Sequence, residues 1–139
     1  MTQIHEWPVR VYYEDTDAEG VVYFANYLKF VERARTEWLR ALGLEQDELR
    51  REHGVVFTVS ETWARFVCPA RFNDLLQVRT RLVEQGRVRF TLVQDIWRGE
   101  QLLAETRCVA ACVDVTGFKP RRLPERLHAA LAATEPDED

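Results

Sequence analysis

Apolar and polar residues alternate from Pro8 to Glu14, with Val9, Val11 and Tyr13 on one side and Arg10, Tyr12 and Glu14 on the other. That period predicts a half-buried strand over 8–14. A polar stretch follows, Asp15 to Gly20, and the spacing then changes. Tyr27, Leu28, Val31, Ala34, Trp38, Leu39 and Leu42 recur every three or four residues, which is the apolar stripe of a long amphipathic helix. Gly43 supplies its stop signal, because glycine enters the left-handed C-terminal conformation without steric cost, and Leu44 is placed to fold back on the last turn. A shorter helix is expected over 46–52. Beyond Gly54 the period becomes two, predicting strands near 55–67, 74–84, 87–97 and 101–114, with glycine in two of the turns at Gly86 and Gly99. Pro120 and Pro124 break the alternation; Pro124 opens a last helix through Leu131, and the acidic end from about 134 to 139 is expected to be flexible.

This order describes an α+β chain in which one antiparallel sheet wraps around a long central helix, because helix and sheet must cover each other's apolar faces. The helix covers the concave face alone. The last strand carries CVAACV, Cys108 to Val113, which is apolar on both faces. A second subunit is therefore expected on the outside, giving a homo-oligomer, a dimer or a tetramer. The alternative is that Ala and Cys are small enough to stand exposed without harm.

Composition narrows the function classes. At 139 residues, with no repeat, linker or low-complexity segment, the whole of 1–139 reads as a single domain. The net charge is -4 and no basic stripe with interleaved aromatics is present, so a nucleic-acid partner is not expected. MTQIHEWPVR lacks the apolar stretch of a secretory signal, and the longest apolar run is too short to cross a bilayer, so the expected location is cytoplasmic, without membrane insertion. The three cysteines, Cys68, Cys108 and Cys112, form no CxxC pair and read as buried thiols. His5, His53 and His128 fall in no HxxxH or HxE spacing, so no metal site is expected. Ser60 lacks the G-x-S-x-G context of a serine hydrolase, and Trp38 belongs to the apolar stripe of the helix.

The candidate chemistry lies between the first strand and the long helix. Glu14, Asp15, Asp17 and Glu19 crowd one connection, and such like charges need compensation. A helix starting near Tyr23 offers it, through unpaired backbone N–H groups and a partial positive charge. The same N–H groups can hold a carbonyl oxygen as negative charge develops on it. The residues alone leave a second possibility open, that Asp17 or Asn26 caps the helix and nothing reacts.

The pattern R-V-x4-T-D-x2-G-V-V from Arg10, followed by Asn26-Tyr27, resembles the signature of the 4-hydroxybenzoyl-CoA thioesterase family, and most of all its Tol-Pal-associated acyl-CoA thioesterases. The similarity continues through ANYLKFVERARTEWLR, CPARFNDLLQV and FKPRRLP, and so spans nearly the whole chain. The resemblance implies a hotdog fold, hydrolysis of short, medium or aromatic acyl-CoA, active sites formed between subunits, and no cofactor beyond the coenzyme A of the substrate. By position it makes Asp17 the catalytic carboxylate and the backbone N–H of Phe24 the oxyanion donor, with Gly20 and Tyr23 against the substrate. Glu19 and Phe24 depart from the pattern, standing where glycine is usual and histidine is common. Asp17 would act as nucleophile or as general base, and the residues do not choose between them. Arg87 and Arg89 follow the Gly86 turn on one strand face and are expected to meet the phosphates of coenzyme A, with Arg121 and Arg122 as weaker candidates. The rival reading is a module that binds acyl-CoA or acyl carrier protein without hydrolysis. A dehydratase ranks below both, since it wants a catalytic histidine that this loop lacks.

Overall fold

The computed structural model describes residues 4–133; the acidic end read as flexible lies outside them. The elements are β1 (His5–Arg10), α1 (Asn26–Ala41), α2 (Gln46–His53), β2 (Val55–Phe66), β3 (Leu75–Gln85), β4 (Arg89–Arg98), β5 (Gln101–Asp114) and α3 (Glu125–Ala132). The five strands form one antiparallel sheet in the order β1-β3-β4-β5-β2, which leaves β1 and β2 as its edges. The stop of α1 is the expected one. Gly43 has φ 81, and the buried Leu44 returns its N–H to the carbonyl of Leu39 at 3.0 Å.

The first strand departs from the expected 8–14. It ends at Arg10 because the Asp15 carboxylate takes the N–H of Tyr12 at 2.9 Å and turns Tyr13–Asp15 into a short 3-10 helix. Tyr13 therefore leaves the alternation: it is 74% exposed and stacks on Phe72 with ring centroids 3.8 Å apart.

One face of α1 packs on the sheet in two apolar clusters. Tyr27, Phe30, Val31 and Ala34 meet Val9, Leu76, Val78 and Ile96 near the start of the helix. Trp38 and Leu39 meet Phe90, Leu92 and Leu127 near its end, where α2 and α3 close the core. Between these clusters lies a polar belt. The buried Gln94 donates its side-chain amide to the carbonyl of Val31 at 2.8 Å and to the Thr80 hydroxyl at 3.0 Å, and its Oε1 accepts from Arg35 at 3.3 Å. Thr106 Oγ1 donates to the Gln94 carbonyl at 2.7 Å. Gln94 thus pins the helix to the sheet at one register, since sliding α1 would strand its buried amide. Gln94→Ala is expected to cost about 2 kcal/mol, because buried partners are left unsatisfied, and chemical denaturation measures it.

The outer face of the last strand is partly covered within the lone chain, where Val109 stays half-buried. Ala111 and Val113, on the outer face, are each only 4% exposed in the lone chain, and Val113 bridges to Pro120 as the following segment turns back. The outer face elsewhere carries cross-strand charges: Arg65 pairs with Glu105, and Arg79 pairs with Glu6 at 3.0 Å while its guanidinium lies 4.8 Å from the ring of Trp97. Of the CVAACV run, Ala111 and Val113 therefore need no second subunit to be buried. The exposed apolar residues lie instead on β2 and at the head of α1, among them Val59, Trp63, Phe66, Phe24 and Leu28. Among the described residues, no helix is long and apolar enough to cross a membrane.

Candidate active site

The loop from Asp15 to Ala25 is held from both sides. Val22 donates its N–H to the carbonyl of Ala70 at 2.8 Å, Val21 bridges to Arg71, and Thr16 bridges to Val22. The 68–74 segment is tied down in turn. The Tyr27 hydroxyl accepts the Ala70 N–H at 3.0 Å, and Asp74 accepts both the Arg71 N–H at 2.9 Å and the Arg98 guanidinium at 2.7 Å. Burial alone would raise the Asp74 carboxyl, but the Arg71 N–H and the Arg98 charge outweigh it and hold the group below its ordinary value. A depressed pKa stabilises the fold fully at neutral pH, and that share is lost as pH falls through the folded-state value.

The two aspartates of D-T-D have different work. Asp15 is buried: Oδ2 takes the Tyr12 N–H, Oδ1 takes the Asn26 side-chain amide at 3.0 Å, and its carbonyl takes the Tyr23 N–H at 2.9 Å. It fastens the strand to the head of the helix. Asp17 is exposed. Its Oδ1 accepts the Glu19 N–H at 2.9 Å, and Oδ2 has no partner among the described residues. Asp15→Ala is expected to destabilise the chain by about 1–3 kcal/mol through its orphaned partners, seen as a lower Tm, whereas Asp17 contributes little to the fold.

Helix α1 starts at Asn26 rather than near Tyr23; ahead of it the Asp15 carbonyl holds the Tyr23 N–H, and a turn closes from the Asn26 N–H to the Tyr23 carbonyl at 2.8 Å. The shift leaves Phe24 and Ala25 just ahead of the helix. Among the described residues nothing accepts their N–H groups, and α1 has no side-chain cap. A free carboxylate oxygen and two free N–H donors thus flank one short connection at the positive end of a helix.

Gly20 sits at φ 80 in a turn closed by its N–H to the Asp17 carbonyl at 3.0 Å. An added Cβ there would meet nothing within 4 Å, so the left-handed backbone, and not a close approach of loop to helix, explains the glycine. The departures at Glu19 and Phe24 leave this geometry intact, since Glu19 is used through its N–H. The ring of Phe24 stands edge-on to Phe66 at 6.1 Å and lies 4.9 Å from Tyr23. Phe66, 46% exposed, is a residue that sequence reasoning missed. Its signal is the apolar residue ending the two-residue period of β2.

The arginines are not gathered at this loop. The loop that carries Asp17 bridges through Val21 to Arg71, just ahead of β3, while Arg87 and Arg89 follow the far end of that strand, on the order of 30 Å along it. Both are exposed, and Arg87 shares a recess with Arg122 and His128. Of the cysteines, Cys108 and Cys112 are buried and free, and burial raises both thiols, whereas Cys68 is half-buried beside Gln101 and Arg98.

The chain is similar to known proteins along most of its length. The acyl-CoA thioester hydrolase YbgC of Escherichia coli is 43% identical over 129 residues, covering 92% of this chain and 96% of the relative. The acyl-CoA thioesterase YbgC of Haemophilus influenzae is 42% identical over 90% of this chain and 92% of the relative. Among solved structures, a probable thioesterase from Bartonella henselae superposes with TM-score 0.83 at 37% identity, covering 88% of this chain and all of that one. The sequence profile of the thioesterase-like superfamily matches residues 11–131, from the loop that carries Asp17 to the last helix, and the chain belongs to that superfamily.

Proposed function

We propose that this chain hydrolyses acyl-CoA thioesters to the free acid and coenzyme A, with Asp17 as the reacting carboxylate and the Phe24 N–H as oxyanion donor. The observation that carries this reading is that one loop holds a carboxylate oxygen and two N–H groups that meet no partner among the described residues. As nucleophile, Asp17 Oδ2 attacks the thioester carbon, the C–S bond breaks, and the thiolate of coenzyme A leaves and takes a proton from solvent. Water then opens the acyl-aspartyl anhydride to the acid and restores Asp17. As general base, Asp17 takes a proton from water while the oxygen of that water attacks the thioester carbon; the tetrahedral intermediate then collapses, the C–S bond breaks, and the proton passes from Asp17 to the departing thiolate. Either route builds an oxyanion where the Phe24 N–H can meet it.

Asp17 and Phe24 stand on the surface of the lone chain, so substrate needs a second wall. A second copy supplies it in this reading. The exposed Phe24, Leu28 and Phe66 and the free edge of β2 support such a contact. The distance of Arg87 and Arg89 from their own Asp17 fits the same scheme, in which they hold the phosphates of a coenzyme A whose thioester lies at another copy. Arg87→Ala with Arg89→Ala is then expected to raise KM several-fold with kcat nearly unchanged. A cytoplasmic setting, association with the Tol-Pal system and acyl carrier protein as a second carrier of substrate belong to the proposal.

A panel of acyl-CoAs with a free-thiol readout tests it. Release of thiol from at least one series supports hydrolysis. Absence of turnover on every member, with binding retained, would make the chain an acyl-CoA-binding module instead.

A further inference from the structure

A cavity of about 140 Å³ lies between α1 and the edge strand β2. Its walls are apolar where Leu39, Phe57, Val59, Phe90 and Ala110 face it, and Arg35 reaches in from the helix. Arg35 is half-buried and donates to Gln94 Oε1 at 3.3 Å and to the Cys108 sulfur at 3.5 Å. Neither partner is a carboxylate, and among the described residues Arg35 makes no ion pair within 4 Å. Gln94 is itself fixed by Val31 and Thr80, so the guanidinium is oriented before any ligand arrives. A guanidinium carries five N–H donors, and these two contacts leave most of them unused. Half-buried positive charge without a negative partner is costly, and a planar fork on an apolar-walled cavity suits a carboxylate.

We propose that this cavity receives the far end of the acyl group, and that Arg35 makes the chain select acyl-CoAs whose far end carries a carboxylate. The inference rests on the hydrolytic reading above and adds the substrate class. Arg35 follows Phe24 by eleven residues, roughly 16 Å along the helix at 1.5 Å per residue. An acyl chain running along α1, or entering from a neighbouring copy, would end against it. Glu32 also lines the cavity, but on the exposed side, where it accepts the Thr36 hydroxyl at 3.4 Å. Its charge opposes a carboxylate, which gives the proposal a second, opposite test.

Succinyl-, adipyl- and dodecanedioyl-CoA are compared with butyryl-, hexanoyl- and dodecanoyl-CoA, by kcat/KM in the unsubstituted chain and by Kd in the Asp17→Asn variant. For at least one length the diacid is expected to be favoured about tenfold or more, the scale of a charge-assisted contact. Arg35→Met should abolish that ratio, Arg35→Lys should keep part of it, and Glu32→Gln should raise it. A ratio unchanged in Arg35→Met, or a preference for the monoacid at every length, overturns the proposal. Should Arg35→Met fail to fold, the Arg35→Lys and Glu32→Gln ratios decide in its place. If no thioester of either series is hydrolysed, the hydrolytic reading fails by itself. The Kd ratio in Asp17→Asn then judges the cavity alone, and equal Kd values sink it.

Discussion

Asp17→Asn is expected to lower turnover by at least ~10²-fold, the scale of a lost acid-base or nucleophilic group, while Tm stays within a degree or so of the parent. Asparagine has the shape of aspartate and keeps an oxygen to accept the Glu19 N–H, so the turn that Asp17 closes survives. The charge on the second oxygen does not, and no other described contact depends on it. A fold defect would appear in Tm, and a chemical defect in thiol release. Asp15→Ala makes the complementary control, with a lower Tm from the loss of its two side-chain anchoring bonds. Turnover by Asp17→Asn equal to that of the parent would remove Asp17 from the mechanism.

The second large effect is expected from Phe24→Pro, which deletes the backbone donor. One oxyanion-hole N–H is worth roughly 10²–10³ in kcat, and proline lacks that hydrogen. The position tolerates it better than a helix interior, because Phe24 precedes the first residue of α1 and its N–H holds no structural bond. Phe24→Ala separates backbone from side chain: it keeps the donor, loses the contact with Phe66, and should move KM more than kcat. If Phe24→Pro retains native circular dichroism and full kcat, the oxyanion role belongs elsewhere.

The architecture was largely legible in the chain because period and turn chemistry agree. β5 spans 101–114 as expected, since two-residue alternation meets a glycine turn at Gly99, whose φ is 58. Gly43 and Leu44 announced the end of α1 in the same way. Its start was not legible: Phe24 and Ala25 carry no capping side chain, and the Tyr23 N–H goes to the Asp15 carbonyl eight positions earlier in the chain. The strand limit at Arg10 was hidden for a related reason, since the carboxylate that ends it arrives from Asp15 while local alternation continues to Glu14.

At the candidate site, residue type marked the loop but could not tell two aspartates apart. What separates them is the set of donors around each, and those come from Tyr12, Asn26 and Glu19 only after the chain has turned. Arg87 and Arg89 lie far from their own Asp17 because the length of a strand separates them, a quantity fixed by sheet topology and invisible to spacing on one face. The bridge from Val113 to Pro120 likewise depends on where the chain returns after β5.

The Gln94 belt interrupts the hydrophobic interior along α1, and an interior so divided can breathe unevenly. Thermal loosening around Leu127 and Leu131 has to cross a row of satisfied amide and hydroxyl groups before it disturbs Tyr27 and Phe30. The end that carries α3 can therefore fluctuate, or accumulate substitutions, while the loop at the opposite end keeps its ångström-scale alignment.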